Sequence, residues 1–289
     1  MKTIEQRGRT LDAVIHPNKY APFSGVPDKA SFDRAWASNP DWIFANMAHA
    51  AYHDAEYLRQ LFTPFGAKIT FYQSKPDAHG WLRGSQAFLA VWDDKAVLAF
   101  RGTEADEPLI LDLEASGSDR GFFGRMLPSR LKLPFIPTDI VDDLDFLPFT
   151  YSEAEGESQL HRGFYKATKR IWDDIEADLK QLQLPDSGQL YVTGHSLGAA
   201  MAVVAGLMYP FNRIVTFGEP SVGNHLDQTM TLGCIHTRYV NGKDPVTRIV
   251  PEALYSHHGI KKPIMDMDGA DMRYDHSIIN YACILGKLP

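Results

Sequence analysis

The chain has 289 residues, 44% of them apolar, a formal net charge of −7 and two cysteines. That length and composition suffice for one large domain, 1–289, with a full core of its own. The acidic balance argues against a nucleic-acid partner, which calls for a concentrated basic face, and two cysteines in a chain this long do not suggest a disulfide framework.

Cys234 and Cys283 read as small buried hydrophobes. The first twenty residues carry charges and Pro17 without the apolar run of a secretory signal, so the cytoplasm is the default location, with export by a signal-independent route left open. No stretch reaches the apolar length of a transmembrane segment, which limits any lipid contact to a surface.

Residues 1–40 are polar and punctuated by Pro17, Pro22, Pro27 and Pro40, the pattern of an irregular lead-in. A helix is predicted to follow, capped by Asp41, with Ile43, Met47, Ala50 and Ala51 on one face and continuing towards Tyr57, Leu58 and Leu61. Strands are predicted at Lys68–Gln73, Gln86–Trp92 and Ala96–Phe100, the last two joined as a hairpin through Asp93, Asp94 and Lys95. Tyr165–Leu184 reads as a helix burying Ile171, Ile175, Leu179 and Leu182. Short apolar strands follow at Leu190–Thr193, Ile214–Phe217 and Ile235–Val240, with a buried helix starting at Ala199. This alternation implies an α/β fold with a mostly parallel central sheet and helices on both faces.

In such sheets, sites gather beyond the carboxyl ends of the strands, where Ser196, Gly218 and Asn241 fall. Gly194-His195-Ser196-Leu197-Gly198 lies between a predicted strand and a predicted helix. The two glycines leave room where strand and helix nearly touch, so Ser196 can be held in an unusual backbone conformation with its oxygen exposed as a nucleophile.

A serine hydroxyl needs a histidine to take its proton and a carboxylate to fix that histidine's tautomer. Asp244 stands just past a predicted strand, in a loop fixed by Pro245; the competing reading is an ordinary turn aspartate before proline. His276 would complete the chain order serine, acid, histidine, with His257 and His258 as competitors and His161 and His195 as weaker ones. The oxyanion needs donors as well. The N–H of Leu197 is one, and the loop after the strand ending at Phe100 offers a second at Thr103, with Gly102 allowing close approach; the alternative there is a solvated strand-terminating turn.

Together these pieces resemble the class 3 lipases. Phe100-Arg101-Gly102-Thr103 is similar to that family's oxyanion loop, and Asp139-Ile140-Val141-Asp142-Asp143-Leu144 to the segment that follows it. His161-Arg162-Gly163-Phe164 resembles its His-x-Gly-Phe element, and Phe217-Gly218-Glu219-Pro220-Ser221-Val222-Gly223-Asn224 its post-elbow strand end. Asp244 matches the family's acid and His276 its late histidine, while His258-Gly259 looks like a separate structural element.

The resemblance spans roughly residues 45 to 285. It implies an α/β-hydrolase fold, an ester substrate, the triad Ser196, Asp244 and His276, and oxyanion donors at Thr103 and Leu197. Two positions depart from the pattern, Ile140 where the family often has tryptophan and Ser221 where it often has arginine.

Residues 105–138 read as an insertion at the place where the family carries its lid. From Arg120 to Pro137 it holds Phe122, Phe123, Met126, Leu127, Leu131, Leu133, Phe135 and Ile136 with four basic residues and no acidic one. That suits a flap over an acyl pocket that leans on an anionic lipid surface; a loop packed on the core or a partner interface are the alternatives. Pro128, Pro134 and Pro137 exclude one long helix. Asp266-Met267-Asp268-Gly269-Ala270-Asp271 lacks the ligand spacing of a calcium loop and reads as a solvated turn, so neither a metal nor an organic cofactor is expected.

The sequence reading is therefore a serine carboxylic-ester hydrolase acting on acylglycerol-type esters. A phospholipase or short-chain esterase with the same triad is the near alternative, and a non-catalytic lipid-binding protein the distant one.

Overall fold

Apolar residues dominate both faces of Gln86–Trp92 (β2), Lys95–Phe100 (β3) and Gln189–His195 (β8), which places these strands at the centre of a sheet covered on both sides. A computed structural model describes residues 11–74, 84–102, 108–110, 134–137, 148–150, 159–226, 234–248, 255–265 and 272–287. Its main sheet has seven strands in the order β1, β2, β3, β8, β9, β11, β12, where β1 is Lys68–Gln73, β9 Arg213–Phe217, β11 Ile235–Asn241 and β12 Ile260–Ile264. The first three strands pair antiparallel, and every pairing from β3 to β12 is parallel. The carboxyl ends of β3, β8, β9 and β11 therefore lie side by side, with Phe100 opposite Gly194 and His195 opposite Phe217.

Eleven helical segments of α or 3-10 type flank this sheet or its loops among the described residues, and the longer ones divide between two apolar layers. One layer is built on Arg162–Gln181, here α5, and Leu197–Met208, here α6. Ile171, Trp172, Ile175 and Leu179 of α5 recur at helical spacing and are buried with Met201, Ala202 and Ala205 of α6 against Leu98, Val192 and Ile214. Each of the larger of these side chains contributes about 1.5–3 kcal/mol on burial. The opposite layer packs Pro40–Ala50 (α3) and Ile278–Leu285 (α8) with Phe88, Val97, Val215, Phe217 and Tyr239. Nearly every residue of α3 is buried because this helix is covered from all sides.

The irregular lead-in expected over 1–40 is corrected where it is described. Leu11–Ile15 (α1) and Lys29–Ser38 (α2) are helical, the latter between the two prolines. Asp28 starts α2 by accepting from the Ser31 N–H at 2.8 Å, and Pro27 and Pro40 bound the helix from outside, so prolines that read as breakers act as punctuation. Phe32 anchors it, stacked on Phe65 at 4.6 Å and beside Phe23 and Trp92.

The cap of α3 is Asn39, whose Oδ1 accepts from the Trp42 N–H, with Pro40 at the first helical position; Asp41 sits in the first turn instead. That helix stops at Ala50, and a separate helix, Ala55–Phe62 (α4), begins at its own cap, Asp54. The cysteines are half-buried, each at the margin of an apolar layer.

Of the 105–138 insertion only its ends are described: Pro108–Ile110 (β4) and Pro134–Pro137 (β5) pair antiparallel, closing it at its base. The hydrophobic and basic residues of 111–133 lie outside the described residues, as do residues 266–271. Pro148–Thr150 (β6), Gln159–His161 (β7) and Gly223–Asn224 (β10) form a small separate sheet. No helix among the described residues is long and apolar enough to cross a membrane.

Candidate active site

Strand β8 ends at His195 and α6 starts at Leu197, so Ser196 alone makes the turn, at φ 59° and ψ −126°. A non-glycine residue held there costs about 1–3 kcal/mol and persists only where its surroundings over-determine it. They do. The Ser196 N–H donates to the Phe217 carbonyl at 3.1 Å, and the Ser196 carbonyl accepts from the Ala199 and Ala200 N–H groups. A Cβ on Gly194 would stand 2.1 Å from the Gly198 oxygen, and one on Gly198 would stand 2.3 Å from the Phe100 oxygen, so both positions must be glycine for strand, turn and neighbouring strand to approach.

The expectation of an exposed serine is corrected. Ser196 is 1% accessible, and its Oγ has no hydrogen-bond partner among the described residues. Serine–histidine bonds of this kind commonly tighten only when an acyl group is bound.

Beyond β11, Asp244 is fully buried, and its carboxylate meets the ring of His276 with Nδ1 2.9 Å from each of Oδ1 and Oδ2. The Val246 N–H donates to Oδ1 at 2.9 Å and the Tyr281 hydroxyl to Oδ2 at 2.7 Å. Tyr281 is held in its protonated form by burial first and by the Asp244 charge second, both of which push its phenol well above the ordinary value. Four interactions thus converge on one carboxylate. They orient it and fix Nδ1 of His276 as the protonated nitrogen, leaving Nε2 as the basic one.

His276 reaches this place from the far end of the chain because Met272–Asp275 (α7) and α8 bracket it. Asp275 is itself buried and accepts from the Lys243 N–H at 2.7 Å, tying the histidine's segment to that of Asp244.

Gly218 brings the two segments to the elbow. With φ 59° it follows Phe217, the partner of Ser196, and a Cβ on it would lie 2.7 Å from Asp244 Oδ2 and 3.0 Å from His276 Nδ1. The competing histidines are bonded elsewhere: His257 Nε2 lies 2.8 Å from the Thr247 oxygen and His258 Nε2 2.9 Å from the Gly223 oxygen. His161 is buried and stacked on Phe164.

Leu197 is the first residue of α6, where the helix leaves backbone N–H groups without intrahelical partners. Thr103, the second expected donor, lies outside the described residues. The residue before it, Gly102, is buried against the elbow, where a Cβ would stand 2.6 Å from the His195 oxygen.

Three features were given no role by the sequence. Tyr281 lies one turn into the helix after His276, and only its position against Asp244 gives it a role. Tyr52, in the turn two residues beyond α3, has its hydroxyl 2.8 Å from His195 Nδ1. Glu219 is buried beside Gly218 and held by Thr216 Oγ1 and by His236 Nε2 at 2.9 Å, which anchors the 218–223 loop; alternate residues of two strands assemble that cluster. No group of metal-ligating side chains occurs among the described residues.

The profile of the family described as lipase (class 3) matches residues 97–254, more than half of the chain. Among curated proteins, the chain is 27% identical over 181 residues to Toxin TseL of Vibrio cholerae, a match covering 57% of this chain and 28% of that protein. It is 30% identical over 139 residues to a lipase of Rhizomucor miehei, covering 44% and 38%. It is also 30% identical over 128 residues to a secreted mono- and diacylglycerol lipase of Fusarium solani, covering 41% and 37%.

The chain thus spans only 28% to 38% of the length of these three relatives. A solved lipase from Rhizopus microsporus var. chinensis superposes with a TM-score of 0.55 at 21% identity, covering 86% of this chain and 80% of that one. That likeness extends to the α/β-hydrolase architecture, with its mostly parallel sheet between two helical layers. By the extent of its match, this chain belongs to the class 3 lipase family.

Proposed function

We propose that this protein is a lipase that hydrolyses acylglycerol-type carboxylic esters through an acyl-enzyme on Ser196. The observation that carries the reading is the double contact of His276 Nδ1 with Asp244 beside a serine at positive φ, because a buried carboxylate so fully satisfied has no other evident task. Membership of a family with relatives named as lipases supports it.

In the acylation step, Ser196 Oγ attacks the acyl carbonyl and its proton passes to His276 Nε2. Asp244 holds the ring and balances the imidazolium through Nδ1–H. The carbonyl oxygen takes up the negative charge and is met by N–H donors at Leu197 and Thr103. The tetrahedral adduct then collapses: the C–O bond to the alcohol breaks, and His276 returns the proton to the leaving alkoxide. Water, deprotonated by His276, attacks the acyl-enzyme, releases the fatty acid and restores Ser196.

The basic and apolar composition of 120–137 supports a further part of the proposal, a peripheral contact with an anionic lipid surface beside the site.

The test uses a serine-reactive phosphonate on wild type and on Ser196→Ala, followed by esters of increasing acyl length. Labelling of wild type alone, with turnover rising towards long-chain acylglycerols, is the expected result. An unlabelled, folded wild type overturns the enzyme reading. A preference for soluble short esters, or for phospholipids over acylglycerols, replaces the lipase with the corresponding esterase or phospholipase.

A further inference from the structure

His195 is the residue before the elbow serine, and the proposed mechanism gives it no task, yet it is buried with both ring nitrogens engaged. Its Nε2 lies 2.7 Å from the main-chain oxygen of His276. A carbonyl only accepts, so Nε2 carries the hydrogen. Nδ1 of the neutral ring is then an acceptor, and the Tyr52 hydroxyl, 2.8 Å away, donates to it.

The result is a directed chain from Tyr52 Oη–H to His195 Nδ1, and from His195 Nε2–H to the carbonyl of His276. Burial, followed by the nearby His276, holds the His195 ring neutral by pushing its pKa well below the ordinary value, so the tautomer is fixed. The two histidine rings lie 4.4 Å apart at 33°.

Tyr52 also touches the third strand end. A Cβ on Gly102 would stand 2.1 Å from the Tyr52 hydroxyl. One phenol and one imidazole therefore connect the loop after β3, the elbow and the segment of His276, which are far apart in the chain.

We infer that Tyr52 and His195 form a positioning pair that holds the main chain of His276 so that its ring meets Ser196. Asp244 fixes the ring of His276 at Nδ1 and the Lys243 N–H holds the neighbouring Asp275, but neither bond engages the main chain of His276 itself. Bonding at the carbonyl supplies the second point of attachment, and attack by Ser196 is sensitive to displacements of about 1 Å. The assignment rests on His276 being the base of the proposed hydrolase.

Four variants of the full chain test it: Tyr52→Phe, His195→Ala, His195→Gln and a Tyr52→Phe/His195→Ala double mutant. Glutamine offers an N–H to the His276 carbonyl and an oxygen to the tyrosine, so it restores both bonds without a ring. Loss of the tyrosine's bond lowers kcat about 3- to 10-fold, as one neutral hydrogen bond allows. His195→Ala lowers kcat about 100-fold with KM little changed, the signature of a base displaced from its transition-state position. His195→Gln recovers most of that loss, and the double mutant falls little below His195→Ala, since the two residues act in series.

A second readout is the downfield proton resonance of His276 Nδ1–H, followed in all four variants whatever their activity. It is expected to broaden or shift in His195→Ala and to return in His195→Gln. Equal kcat in wild type and His195→Ala, or no rescue by glutamine in a protein that melts as wild type does, overturns the positioning role and leaves the hydrolase reading intact. If wild type neither turns over esters nor takes the phosphonate, the hydrolase reading fails, and an unmoved His276 resonance in His195→Ala then removes the positioning role independently.

Discussion

At the scale of single residues, the site is a set of buried polar atoms whose partners are nearly all specified. Ser196→Ala is expected to abolish phosphonate labelling and ester turnover with the fold retained, since no hydrogen bond of its Oγ is lost among the described residues. Asp244→Asn keeps the shape but removes the charge that balances the imidazolium and permits the wrong tautomer of His276. A fall in kcat of about 10³- to 10⁴-fold is expected in steady-state hydrolysis, as in triads of this kind.

Tyr281→Phe tests the support beneath the acid. It strips one donor from Asp244 and leaves the Asn241 N–H, now bonded to the Tyr281 oxygen at 3.0 Å, without a partner. Denaturant unfolding should show a loss of about 1–3 kcal/mol; an unchanged midpoint would mean that water replaces the hydroxyl. Ser196 and Asp244 are marked in the sequence by motif and chain order, whereas His276 had His257 and His258 as competitors and was singled out there only by the family resemblance. Tyr281 and Tyr52 had no role legible there, because a tyrosine looks the same in sequence whether it packs in a core or donates to a buried carboxylate or imidazole.

At the scale of elements, periodicity located the main strands and the helices α5 and α6, and the differences concern boundaries and the region before Pro40. Helix α2 is ten residues long between two prolines, too short and too polar for its apolar spacing to declare it. Asp28→Ala removes its cap and should lower stability by about 1 kcal/mol in urea unfolding. An effect near zero would show that Phe32 and its aromatic neighbours hold the helix without the cap.

The elbow is the most constrained element. In Gly194→Ala the new methyl meets backbone atoms of Gly198 and Ala199, which cannot yield as a flexible side chain could. Strand β8 and α6 must then separate, and the expected outcome is a loss of about 2 kcal/mol or more together with labelling at Ser196. Full labelling with unchanged stability would show that the turn can open.

At the scale of the whole molecule, the fold buries neutral histidines, and that couples its stability to pH. His49 lies in the layer beneath α8, with its pKa lowered to about 4 by burial, and His195 is lowered well below its ordinary value for the same first cause. A histidine depressed in the folded state binds its proton more readily when unfolded, so stability is fully present above pH 6.5. It is lost as the pH falls from 6.5 towards the folded values, by up to about 1.4 kcal/mol per pH unit for each histidine. Urea unfolding at pH 7, 6 and 5 should show this slope, with both rings still neutral by NMR at pH 5; rings that titrate near 6.5 in the folded protein would contradict it.

The sequence by itself determined the alternation of strands and helices, the parallel sheet and the order of serine, acid and histidine. These depend on local spacing, on glycines at a crowded turn and on motif order, all of which survive in one dimension. Tertiary structure alone decided which of the late histidines meets Asp244, that Ser196 is buried, and that Tyr281, Tyr52 and His195 surround the site. Hydrogen bonds between residues 32 to 143 positions apart leave no periodic trace in a chain, because only the closing of the sheet brings their atoms within 3 Å of one another.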